Sequence, residues 1–307
     1  VAVTSLPAGI ASTRLLPDQA GLTHWDTVIT SPDLKDKLLA HILLGLLHGS
    51  RLASLPGAMQ RLVMLSGPPG TGKTTLARGA AEAAADALHH HGRVLLVELD
   101  PHALPSEMLG ESQRNVARLL GSVLPELAQR HPYVIALVDE VESFAVRRSA
   151  AAFEANPVDV HRASDAVLVG LDDLAARCPN IFVLSTTNFP VAVDEAFVSR
   201  ADLVLQLDLP DEDTAARIVG AGLADLAERW PALSTLAGDS DLHAQVARWC
   251  KGWDGRRLRR LALQALGSRP ELAMHPDTLT AADLAAVADP SGVGARAQVP
   301  ASKRRTM

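Results

Sequence analysis

The chain has 307 residues and a formal net charge of −6, and 48% of its residues are hydrophobic while only 3% are aromatic. That length accommodates a large α/β domain plus a smaller one, with cores built from Leu, Val and Ala rather than rings. The acidic balance argues against a general nucleic-acid binder. No apolar run reaches membrane-spanning length, since Leu38 to Leu47 is short and broken by His41. Cys178 and Cys250 are the only cysteines. They read as packing residues rather than a disulfide, and with an N-terminus that lacks a secretory layout they imply a cytoplasmic chain.

In chain order, Val1 to about Leu22 mixes Pro, Ser, Thr and Gly without periodicity and reads as an irregular lead-in. Pro32 opens a helix with Ser31 as N-cap and an apolar stripe of Leu34, Leu38, Leu39, Ile42 and Leu46. A buried strand over Arg61–Leu65 leads into Gly67-Pro68-Pro69-Gly70-Thr71-Gly72-Lys73-Thr74, the pattern G-x-x-x-x-G-K-[ST]. Its glycines let successive backbone N–H groups of Pro69 to Thr75 curl around phosphate oxygens, apart from the proline, which has none. Lys73 reaches the β/γ-phosphates, and the Thr74 hydroxyl is a ligand for Mg²⁺. An Ala-rich helix from Thr74 to about His90 points its positive end at that site. This chain is therefore expected to bind a nucleoside triphosphate.

Further strands are expected at Val94–Leu99, Val134–Val138, Ile181–Ser185 and Leu203–Leu207, with a helix from Glu111 to about Arg130. Strands alternating with helices imply a parallel sheet covered on both faces. Beyond Pro210 the pattern is helical, near 213–230, 239–250, 255–267 and 280–287, and from Pro290 the chain turns polar and basic. The expected domains are an irregular lead-in (1–22), a large α/β domain (23–210), a small all-α lid (211–289) and a disordered tail (290–307).

At the end of the Val134–Val138 strand stand Asp139 and Glu140. The carboxyl ends of parallel strands line the ligand crevice, so both acids arrive beside the phosphate loop. Asp139 would complete the Mg²⁺ site begun by Thr74, and Glu140 would polarise the water attacking the γ-phosphorus. Asn188, after Ser185-Thr186-Thr187, is placed to hydrogen-bond the γ-phosphate or that water. The run His89-His90-His91 lacks the i, i+4 spacing of a paired-ligand helix and reads as a polar helix end.

This ordered set resembles the AAA+ ATPases. Three strings narrow the resemblance to the pachytene checkpoint ATPases, ring-shaped remodellers of HORMA-domain proteins. They are Leu137-Val138-Asp139-Glu140-Val141-Glu142-Ser143, Ala196-Phe197-Val198-Ser199-Arg200-Ala201-Asp202, and Gly252 to Leu261 with its arginine cluster. His24 to Val28 and Pro105 to Ser112 fit the same template, so the likeness runs from Trp25 to about Leu261. It implies a P-loop AAA+ sheet sandwiched by helices, followed by the helical lid.

By that resemblance Arg200 is an arginine finger inserted into the neighbouring subunit's site, so hydrolysis needs an oligomer, a homohexameric ring. Arg256, with Arg259 in reserve, is the second sensor on the lid. Val28 and Ile29 contact the adenine. Met108 and Leu109 form the first pore loop, with Met108 where family members often carry an aromatic, and Ser149 to about Pro157 the second. Eukaryotic relatives carry a substrate- and adaptor-binding domain ahead of the ATPase, where here about twenty residues precede Trp25. The chain thus resembles a minimal bacterial branch, linked to cyclic-oligonucleotide antiphage signalling, in which the ATPase restrains a nucleotidyltransferase by dismantling its activating HORMA complex. The alternative is a nucleic-acid motor or clamp loader, favoured by Arg256 to Arg260 and the basic Lys303-Arg304-Arg305. A small-molecule kinase is disfavoured by the Asp139-Glu140 pair and the remote Arg200.

Overall fold

The computed structural model describes residues 6–18, 23–53, 55–100, 111–143, 145 and 157–289. The chain divides into two compact units, residues 1–207 and 208–307. In the first, the elements are β1 (Ile10–Leu16), α1 (Thr23–Thr27), α2 (Pro32–Leu52), β2 (Leu62–Ser66), α3 (Lys73–Ala87), β3 (Val94–Leu99), α4 (Glu111–Arg118), α5 (Leu124–Arg130), β4 (Tyr133–Val138), α6 (Pro157–Arg177), β5 (Ile181–Thr187), α7 (Glu195–Val198) and β6 (Leu203–Gln206).

The strands form one six-stranded sheet in the order β1-β3-β4-β5-β2-β6. All neighbours are parallel except β1, which runs antiparallel to β3 along one edge. The period-2 alternation of strand side chains sorts each strand between two cores. On β4, Val134, Ala136 and Val138 face one core with Leu119, Leu120, Leu124, Leu171 and Phe197. Ile135 and Leu137 face the other, with Leu38 and Ile42 of α2 and the alanines of α3. Ala77, Ala80, Ala81, Ala84 and Ala85 are all fully buried. Side chains that small let α3 lie close to the sheet, and this fixes the height of the phosphate loop that precedes it.

The structure departs from the sequence expectations at several places. The residues read as an irregular lead-in contain β1, whose pairing with β3 runs from Ile10↔Leu99 to Leu16↔Val94. An edge strand buries one face and shows charge on the other, so Ile-Ala-Ser-Thr-Arg-Leu-Leu carries little apolar alternation of its own. No element was expected between residues 139 and 180, where α6 lies. Its core-facing Val167, Leu168, Leu171 and Leu174 do follow helical spacing. Ser31 sits at the N-cap of α2, but its side chain makes no capping bond; Pro32 follows, and the amides of Leu34 and Lys35 reach the Ser31 carbonyl.

The expected helix from Glu111 to Arg130 is present but changes register. A π-helical turn at Leu119–Val123 joins α4 to α5, with Pro125 in the first turn of α5. Proline offers no N–H to the preceding turn, which accounts for the break in the ordinary ladder. Arg61, expected inside β2, instead precedes it at φ 57°. Its buried guanidinium donates to the carbonyls of Ile181 (3.1 Å) and Ala175 (2.5 Å) and so braces β5 against α6. Burial lowers its pKa from the usual arginine value.

The second unit holds α8 (Glu212–Ala227), α9 (Ser234–Gly238), α10 (Ser240–Trp249), α11 (Gly255–Leu266), α12 (Pro270–Met274) and α13 (Ala281–Ala288). Its longer helices start at side-chain caps. Asp211 accepts from Thr214 N, Asp239 from Leu242 N and Asp254 from Arg257 N, while Thr280 and Asp283 make a reciprocal capping box. Cys178 and Cys250 are both buried and free, and burial pushes the Cys250 thiol up to about 11. No described helix is long and apolar enough to cross a membrane.

Candidate active site

The phosphate loop leaves β2 and enters α3 through positive φ angles at Gly67 (142°), Gly70 (79°) and Gly72 (94°). Gly67 is also crowded: a Cβ there would lie 2.0 Å from the Leu207 carbonyl oxygen. Gly67→Ala is expected to cost more than about 2 kcal/mol of stability, read by urea unfolding, because backbone strain and a clash with main chain add. A urea midpoint equal to that of the parent would refute this.

Lys73 is 5% exposed. Its ammonium donates to the Gly67 (2.9 Å) and Pro68 (2.8 Å) carbonyls, which folds it back over the loop. The Thr71 hydroxyl donates to the Pro68 carbonyl at 2.9 Å, Pro69 is exposed, and Thr75 is half-buried in the first turn of α3. The N-cap residue Gly72 supplies no side-chain cap to α3. The positive end of that helix therefore faces the loop with no side-chain acceptor of its own, as an anion-binding terminus requires.

Sheet order explains how the remaining groups meet. β2, which carries the loop, and β4, which carries the acids, are separated by β5. Val138 is level with Ser185, so Asp139 falls beside Thr186. Asp139 Oδ1 accepts from the Thr74 hydroxyl at 2.6 Å and from the Thr186 hydroxyl. Thr186 in turn accepts from Glu140 N at 3.2 Å. Glu140 has φ 55°, an uncommon conformation for a residue with a Cβ. Its Oε1 accepts from Asn188 Nδ2 at 3.1 Å, while the Asn188 backbone N–H donates to Glu142 Oε1, also at 3.1 Å. Lys73, Thr74, Asp139, Glu140 and Asn188 thus gather at the carboxyl ends of three neighbouring strands.

Neither Thr186 nor Glu142 is assigned a site role by the sequence. Thr186 lies two residues before Asn188, hence on the same strand face, and that spacing was the available signal. Glu142 enters the sequence reading only through the family resemblance, as part of the string Leu137 to Ser143, with no contact assigned to it. Its Oε2 is buried and has no hydrogen-bond partner.

Val28 is buried against the loop: a Cβ on Gly72 would lie 3.5 Å from its Cγ1. Ile29 beside it is half-buried. The segment is pinned to α3 by His24 and Glu82, whose Nδ1 and Oε1 stand 2.6 Å apart. Arg200 follows α7 and is held by Asp172 of α6. Arg256 is exposed in the first turn of α11, Arg259 pairs with Asp225 at 3.0 Å, and Arg257 stacks on Trp253. Met108, Leu109 and residues 149–156 lie outside the described residues. His89 to His91 form an exposed turn, and no group of three or more metal-ligating side chains occurs among the described residues.

Residues 63–209 match the ATPase family associated with various cellular activities (AAA). CD-NTase-associated protein 6 of Pseudomonas aeruginosa is 38% identical over 276 residues, covering 90% of each chain. The chain belongs to the AAA ATPase family, in the group that includes this protein. The pachytene checkpoint protein 2 homolog of Arabidopsis thaliana is 29% identical over 78% of the chain, which spans 58% of that relative's length. In fold, the chain matches a chain of the E. coli MS115-1 HORMA:CdnC:Trip13 complex with a TM-score of 0.75 at 20% identity, covering 92% of this chain and 96% of that one. Membership makes this AAA chain a nucleotide-binding ATPase.

Proposed function

We propose that this ATPase hydrolyses ATP to remodel a HORMA-domain protein, and that it thereby restrains an antiphage nucleotidyltransferase. The observation that carries the chemistry is the contact of Glu140 with Asn188 beside the Asp139–Thr74 pair. The observation that carries the client class is the 38% identity to a nucleotidyltransferase-associated protein along nearly the whole chain.

In this reading Lys73 and the uncapped start of α3 hold the phosphates, with Pro69, Gly70, Thr71, Gly72, Thr74 and Thr75 forming the cradle. Thr74 and Asp139 offer hard oxygens, the donor type Mg²⁺ takes, and with few protein ligands the ion keeps waters and phosphate oxygens in its shell. Mg²⁺ would supply neutralisation of phosphate charge. Thr186 fixes the Asp139 carboxylate from the intervening strand. Glu140 takes the proton of the attacking water, and Asn188 holds the Glu140 carboxylate and orients that water. Val28 and Ile29 flank the base. Arg256 senses the nucleotide from the lid domain, Arg200 reaches the neighbour's site in a homohexamer, and Met108 and Leu109 grip the client in the pore.

The nucleic-acid reading loses ground on the second unit's own geometry. Of the arginines that favoured it, Arg259 is paired with Asp225 and Arg257 lies 3.5 Å over the Trp253 ring. A trap experiment tests the client. Glu140→Gln loaded with ATP should capture a HORMA-domain protein, with its nucleotidyltransferase, from source-cell lysate, and that purified protein should stimulate the parent ATPase. Stimulation by DNA, with no effect of the HORMA protein, would reverse the assignment.

A further inference from the structure

Arg200 does not stand alone at the surface. Its Nε donates to Asp172 Oδ1 and its Nη2 to Asp172 Oδ2, both at 2.8 Å, while Nη1 donates to the Ala196 carbonyl at 2.8 Å. A guanidinium carries five N–H groups in one plane. The bidentate pair takes one edge and the carbonyl one further N–H, which leaves two N–H groups for a second acceptor. The side chain is thereby fixed in plane and direction while keeping donors to spare.

The mount is rigid although the pair is partly exposed, at 25% for Arg200 and 47% for Asp172. Asp172 is flanked on α6 by Leu171 and Leu174, and Arg200 follows Phe197 of α7; all three apolar side chains are buried in the same core. An exposed pair of this kind contributes little to stability. Holding a cation in one direction is a different matter, because a small misplacement of a transition-state ligand costs much of its effect. The shared core ties both carriers to the sheet, and hydrogen bonding to Asp172 raises the Arg200 pKa further above its usual value.

We infer that Asp172 is a positioning residue that aims Arg200, through the paired edge of its guanidinium, at the phosphoryl group in the neighbouring subunit's site. This rests on the proposed action of Arg200 in trans. Asp172 touches no substrate; it sets the orientation of the group that does. No sequence pattern marks it, because Asp172 lies in a stretch where no element is expected.

Asp172→Asn is the test, in full-length protein, with Asp172→Ala as the second variant. Each is expected to lower kcat about tenfold and leave the fluorescent-ADP Kd within about twofold. Mixing either variant with Glu140→Gln subunits should restore turnover, because the intact site of the first then receives a correctly aimed arginine from the second. Asp172→Glu should recover part of the loss. Unchanged kcat in both variants overturns the proposal. So does a loss that Glu140→Gln subunits fail to rescue while they do rescue Arg200→Ala, since that pattern marks a local structural role. If neither is rescued, action in trans itself fails, and the inference falls with it for a separate, identifiable reason.

Discussion

Glu140→Gln is expected to reduce ATP turnover by at least about 10²-fold while leaving ATP affinity within a fewfold of the parent. The substitution keeps the size of the side chain and its hydrogen bond with Asn188, now amide to amide, but removes the group that can take a proton from water. The fold should be untouched, because Glu140 is exposed and its local conformation is set by its backbone bond to Thr186 and its position after β4. The result should therefore be a subunit that binds and does not release energy. Single-turnover phosphate release checks it, alongside equilibrium binding of a fluorescent ATP analogue. Turnover retained within tenfold would move the role of base to another group. Loss of binding would mean that Glu140 shapes the cradle instead.

The site was legible in the sequence to the extent that it is built from consecutive residues. The phosphate loop and Asp139-Glu140 each declare themselves in a short run, because a glycine-rich turn or a strand end fixes its own geometry. What those runs leave open is which strand separates them. β5 does, and so the bridge from Thr74 through Asp139 to Thr186 needed the sheet order. Asn188 was found by its place after a buried strand, but its contacts with Glu140 and Glu142 join residues more than forty positions apart.

Fold followed the same division. The core strands, buried on both faces, read as continuous apolar runs, and the sheet class follows from them. β1 was missed because it takes its order from β3 rather than from its own pattern. Helix α6 differs: its apolar spacing is present in the sequence, but it is set in an Ala- and Asp-rich stretch between two strongly apolar strands, where it stands out little. Arg61 reads as a strand residue in any one-dimensional view. Only the packed structure gives it a left-handed backbone and a buried guanidinium, where three carbonyls, those of Ile181, Ala175 and Met59, replace water.

Arg200→Ala is expected to lower kcat by about 10³-fold without altering nucleotide affinity, the scale on which an arginine supplied from outside a site stabilises a transferring phosphoryl group. Arg200→Lys should fail nearly as badly. An ammonium cannot satisfy both oxygens of Asp172 along one planar edge and still present directed donors elsewhere. The decisive measurement is turnover against mixing ratio with Glu140→Gln subunits. Each variant alone is inactive for a different reason, one lacking a base in its own site and the other lacking a cation for its neighbour's. Adjacent in a ring, the Arg200→Ala subunit keeps Glu140 and receives Arg200 from its Glu140→Gln neighbour. Activity should rise from either pure variant to a maximum at intermediate ratio, provided the subunits exchange. A flat baseline across all ratios, with subunit exchange demonstrated by fluorescence transfer, would confine Arg200 to its own chain. The ion pair with Asp172 would then be its whole purpose.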